Sequence, residues 1–82
     1  MPTHESPCDM MRRVAKSQRE AIRRQRAEIH QVEKTIDTLQ QQPEPDLGTI
    51  SALEQTLQSL NEQLEQNELS LETLEAVISE NC

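Results

Sequence analysis

The residues best able to do chemistry form a run of bases. Arg12, Arg13, Lys16, Arg19, Arg23, Arg24 and Arg26 face Glu20 alone within residues 12–26, a local charge of +6. On a helix such a stripe can grip nucleic-acid phosphate, as a basic region preceding a zipper does. The simpler reading is that it answers acid elsewhere in the same chain. Residues 49–82 hold seven glutamates and no Lys or Arg, and the chain as a whole carries −7. The aromatic side chains that stack single-stranded bases are absent. Charge balance within the chain is therefore the preferred reading, with nucleic-acid binding through residues 12–26 as an alternative. A second alternative is an acidic inhibitor that covers a basic surface of its target through the glutamates of residues 54–80.

Sulfur and imidazole chemistry is sparse. In an antiparallel hairpin Cys8 and Cys82 fall at the same open end, their numbers summing to 90, and a disulfide there would close the whole hairpin. With no secretory signal in Met1–Cys8 to imply an oxidising compartment, two reduced thiols are the preferred expectation. A metal site from His4, Cys8 and Cys82 has three ligands and no recognised spacing, so none is expected. His30 falls on an outward helical position. No Ser/His/Asp or Cys/His constellation, glycine-rich phosphate loop or paired carboxylate in a cleft can be placed. The expectation is a protein that is not an enzyme, with no cofactor and no small-molecule ligand.

The elements that position these residues are legible in the apolar spacing. Ile50, Leu53, Leu57, Leu60, Leu64, Asn67, Leu71, Leu74 and Ile78 recur at alternate steps of three and four. That is a heptad seam with one polar interruption, and it predicts a helix over 50–80. A second seam precedes it, with Cys8, Ala15, Ile22, Ile29 and Ile36 at a and Met11, Gln18, Gln25, Val32 and Leu39 at d. Its helix is predicted over 6–42, with Ser6 as cap, Pro7 at the first position and Asp9 in the first turn. Residues 1–5 are expected to fray. Pro43, Pro45 and Gly48 mark a turn over 43–49, of the length that joins antiparallel helices. Asp46, Thr49 and Ser51 (with Glu54) are rival caps for the second helix. The result is a single all-α domain over 6–82, an antiparallel two-helix coiled-coil hairpin. It resembles helical-hairpin coiled coils in general, a pattern too common to point to one family.

The register follows if Leu39 lies beside Ile50, so that facing residue numbers sum to about 89. Every a then meets a d. Arg12 falls near Glu75, Lys16 near Glu72, Arg19 near Glu68, Arg23 near Glu65 and Arg26 near Glu62, leaving Arg13 and Arg24 free. One like-charge meeting, Glu33 with Glu54, remains. Bases near the start of one helix and acids near the end of the other each oppose their own macrodipole, and antiparallel packing cancels both faults. Gln18, Gln25 and Asn67 are polar at seam positions, which suits either a register-fixing device or a wet open end.

A lone pair of helices covers such a seam only partly. Val14, Ala21, Ser70 and Val77 extend one flank of it with small or apolar residues, Leu69 and Ala76 lie outside it, and Val14, Ala21, Leu69, Ala76 and Val77 are the candidates for a second interface. A four-helix bundle, completed by a homodimer or by another helical protein, is therefore expected. The function that follows is a protein–protein interaction module, acting as adaptor, scaffold or assembly subunit. No apolar run reaches the ~20 residues of a membrane span, and a cytoplasmic or nuclear location is expected.

Overall fold

The structure, a computed structural model, describes residues 5–82. Two long helices, α1 (Pro7–Gln40) and α2 (Leu47–Asn81), run antiparallel and make an all-α hairpin, the fold that the heptads predict. The molecule is 64 × 27 × 14 Å, one helix thick and two helices wide.

Local chemistry sets the ends of α1. Ser6 is extended (φ −66°, ψ 154°), and its Oγ accepts the Asp9 N–H at 3.1 Å. Pro7, whose missing N–H costs nothing in the first turn, follows at once. The predicted end at residue 42 is two residues too late. The Gln41 N–H is shared between the Asp37 carbonyl at 3.2 Å and the Thr38 carbonyl at 3.3 Å, and Gln42 donates three residues back to Leu39 at 3.4 Å. The ladder tightens there because Pro43 pushes the residue before it out of the α region.

The second helix starts three residues earlier than predicted, at Leu47, and ends at Asn81. Asp46 decides this. Its carboxylate accepts the Thr49 N–H at 3.1 Å and the Thr49 hydroxyl at 2.7 Å, and its carbonyl accepts the Ile50 N–H at 3.0 Å. Of the three rival caps, Asp46 holds the position. Gly48 thus sits inside the first turn of α2 with ordinary helical φ, not in the connection. The connection is Gln41–Asp46.

The core is a single file. Ala15, Ile22, Ile29 and Ile36, at intervals of seven along α1, are buried, as is Ile50 at the start of α2. Val32 and Leu39 on α1 and Leu53, Leu57, Leu60, Leu64, Leu71, Leu74 and Ile78 on α2 are half-buried. A knob in a two-helix seam touches one facing helix, so its outer side stays open to water.

Candidate interaction surface

The cross-helix partners give the register by side-chain contact. Arg19 Nη1 meets Glu75 Oε1 at 3.3 Å and Arg26 Nη2 meets Glu68 Oε2 at 3.0 Å. Both pairs join e positions, the flanking positions that face each other in an antiparallel coiled coil. Their numbers sum to 94, not 87 or 88, so Arg19 and Arg26 reach carboxylates seven and six residues nearer the open end than the predicted Glu68 and Glu62.

The other predicted ion pairs are replaced or missing. Arg12, expected at Glu75, bridges Asp9 on its own helix at 3.6 Å. Arg13, expected free, meets Glu5 at 2.7 Å. Lys16 and Arg23 make no ion pair among the described residues, and neither do Glu62, Glu65 and Glu72. Long side chains lean along the helix to the nearest carboxylate, which a sum rule on Cα positions does not capture. All these pairs are solvent-exposed, and each contributes roughly 0–1 kcal/mol.

The polar layer is also displaced. Asn67, expected opposite Ile22, donates from Nδ2 to Gln25 Oε1 at 3.0 Å, and Asn67 is the one residue of the α2 seam that is exposed. Gln18 Oε1, one heptad nearer the open end, is shielded and has no hydrogen-bond partner among the described residues, at a cost of about 1–3 kcal/mol. Beyond it the two ends are tied together. Cys8 and Cys82 form a disulfide, Cα–Cα 6.0 Å, across a separation of 74 residues. The expectation of two reduced thiols is corrected: the register delivers both cysteines to the open end, within bonding reach. His4 lies outside the described residues, so the metal reading from His4, Cys8 and Cys82 cannot be drawn there. Among the described residues no cluster of three metal-ligating side chains occurs.

The e–e′ pairs fix which way the hairpin faces, and the two broad faces differ sharply. One face carries the e and b positions. In the open half these are Arg12, Lys16, Arg19, Arg23 and Arg26 on α1, beside Glu65, Glu68, Glu72 and Glu75 on α2. A shallow groove runs between the two lanes, with Ile22 and Leu71 among its lining residues. The other face carries the g and c positions, and it is almost uncharged. Met10, Val14, Ser17, Ala21, Thr35 and Thr38 line α1 there, and Ala52, Thr56, Ser59, Ser70, Thr73 and Val77 line α2. Val14 is 43% exposed and Val77 38%. Leu69 and Ala76, grouped with these valines in the sequence reading, are exposed at f positions on the outer edge of α2 and belong to neither face.

Three threonines make the uncharged face dry in a chemical sense. Thr35 donates its hydroxyl to the Gln31 carbonyl, Thr38 to Lys34 and Thr56 to Ala52, at 3.0, 3.0 and 3.1 Å. Each hydroxyl is satisfied within its own helix, so its methyl can be covered without orphaning a donor. This feature escapes a reading that looks for apolar residues alone, although the g and c heptad positions would have found it.

The chain matches no protein-family model, no curated protein and no solved structure. Its surface is therefore read from its own chemistry. Among the described residues no helix is long and apolar enough to cross a membrane.

Proposed function

We propose that this hairpin is a non-enzymatic protein–protein interaction module, an adaptor, scaffold or assembly subunit, and that its uncharged face is the surface that receives a helical partner. The observation that carries this reading is the contrast between the two faces. A two-helix hairpin leaves its leucine seam half-covered, and the g/c flank widens that seam with Val14, Ala21, Ser70 and Val77. Burial of apolar area drives such association at ~25 cal/mol per Å², and small side chains let a third and fourth helix approach closely. The e/b face, crowded with hydrated charge, costs more to desolvate and serves orientation and solubility.

Photo-crosslinking in the native cell tests this. A photoreactive residue at Thr35 or Ser59, on the uncharged face, should trap a protein chain, whether this one or another. The same residue at Glu72, on the charged face, should trap far less. No protein adduct from either position on the uncharged face would sink the reading.

A further inference from the structure

We infer that the occupant of the uncharged face is a second copy of this chain, stacked antiparallel so that the two turns lie at opposite ends of a four-helix bundle. The inference rests on the interaction-module reading and names its partner. Charge decides it. On the g/c face of α1 the charged residues are Arg24 and Glu28, and on α2 Glu80 at the far end. Neither Arg24 nor Glu28 has an ion-pair partner among the described residues. They lie four residues apart about the middle of the hairpin, close to the height of the Gln25–Asn67 layer. A covering partner desolvates both, which is unfavourable unless each meets its opposite.

Two face-to-face arrangements have two-fold symmetry. With the axis along the hairpin, α1 lies over the partner's α2, and register sums of 90 and 91 set Arg24 and Glu28 against glutamines 66 and 63. Across that interface both charges meet only neutral amides, and each is left with the other, four residues away on its own helix, as its sole counter-charge. With the axis across the hairpin, α1 lies over the partner's α1 in the opposite direction, centred near residue 26. Arg24 then meets the partner's Glu28 and Glu28 the partner's Arg24, while glutamine 66 meets its own copy at the middle of α2. That interface is self-complementary, as a two-fold contact requires. The valines are covered in either arrangement, so burial supplies adhesion and the paired charges select the orientation. The size suffices too. A strip ~15 Å wide along the molecule covers roughly 900 Å² per copy, against ~800 Å² per partner in a standard stable interface.

The test uses the full chain with its disulfide intact. Sedimentation equilibrium across a hundredfold concentration range should give a dimer, and a monomer throughout overturns the inference while leaving a different helical partner open to the crosslinking experiment. Arg24→Glu should weaken the dimer roughly tenfold or more. Adding Glu28→Arg to it should restore the dissociation constant to within about threefold, because in this arrangement the swapped charges again meet their opposites. Failure of that rescue overturns the charge assignment. Arg24 and Glu28 are exposed on the hairpin, so helicity of the variants should stay close to the parent's, and any drop in melting temperature should vanish at dilutions where the parent too is monomeric. Orientation is read from spin labels on Glu44→Cys in the turn. Opposed turns put the two labels about 50 Å apart or more, given ~1.5 Å per helical residue, and a separation near 20 Å overturns the antiparallel arrangement.

Discussion

The two halves of this hairpin hold together by different means. In the half nearest the turn every seam position is aliphatic, from Ile29, Val32, Ile36 and Leu39 on α1 to Ile50, Leu53, Leu57, Leu60 and Leu64 on α2. It contains no cross-helix ion pair among the described residues. The open half reverses both features. Its seam admits Gln18, Gln25 and Asn67 and shrinks to Ala15, and its helices are joined by Arg19–Glu75, Arg26–Glu68 and the Cys8–Cys82 disulfide. Loop entropy explains the division. Near the turn the connection is short and contacts form at little entropic cost, so a greasy seam suffices. At the open end the two strands of the hairpin are separated by more than fifty residues of chain, and a covalent tie offsets what the weaker core does not supply.

Cutting the tie should have the largest effect. Reduction, or Cys8→Ser with Cys82→Ser, should destabilise the hairpin by about 4 kcal/mol through loop entropy. Hydrogen exchange should show where: faster exchange in α1 before Ile22 and α2 after Leu71, with the turn half still protected. Uniform loss of protection would mean that the halves do not differ as drawn here. The complementary cut is Ile36→Ala, which removes a buried knob beside the turn and should cost about 2–4 kcal/mol in thermal or denaturant melting. If it costs less than the loss of the disulfide's neighbour Met11 to Ala, the cohesive half has been misplaced.

The polar layer gives a gain rather than a loss. Gln25→Leu together with Asn67→Leu should raise stability by about 1 kcal/mol, since paired apolar groups can replace a paired polar contact at no penalty. Either single change should gain less, because it strands the other amide. A double variant less stable than the parent would show that the amide pair is worth more than its area in leucine.

Register can be sharpened by the ion pairs, at under ~1 kcal/mol. Arg19→Glu should be rescued in part by Glu75→Arg and not by Glu68→Arg, and the reverse pattern in a double-mutant cycle would restore the alternative sum. The smallest effect belongs to the cap of α2. Thr49 holds the Asp46 carboxyl below its ordinary value, first through its side-chain hydroxyl and then through its backbone N–H. A lowered folded value means that the contribution is complete above the unfolded carboxyl value and lost as pH falls through the folded one. Asp46→Ala should therefore lower stability near neutral pH, and the difference from the parent should shrink under strong acid. A difference that is constant with pH would remove the carboxylate from the account.

Much of the fold was legible because the period of the pattern is the period of the helix. Ile22, Ile29 and Ile36 could be read as buried and Pro43 and Pro45 as a turn from residue types alone. The helix ends were harder. Asp46, Thr49 and Ser51 are all good caps, and nothing local ranks them. The surface is partly legible: Val14, Ala21 and Val77 share the uncharged face, while Leu69 and Ala76, apolar too, lie at f positions on the outer edge of α2. The threonine methyls went unseen, since a threonine counts as polar until its hydroxyl is known to be tied to its own helix.

By itself the sequence determined the two helices, their antiparallel pairing and the imbalance of charge between them. Those depend on periodicity, on prolines and on residue charge, which are local or additive. Tertiary structure alone decided that Arg19 reaches Glu75 and Arg26 reaches Glu68, that Gln25 meets Asn67, and that Cys8 and Cys82 are joined rather than reduced. The backbone offset, a sum of 90 at the disulfide against the predicted 89, follows from the seam and the turn. Which side-chain tips meet does not, because long side chains lean along the helix away from the Cα positions that residue numbers describe.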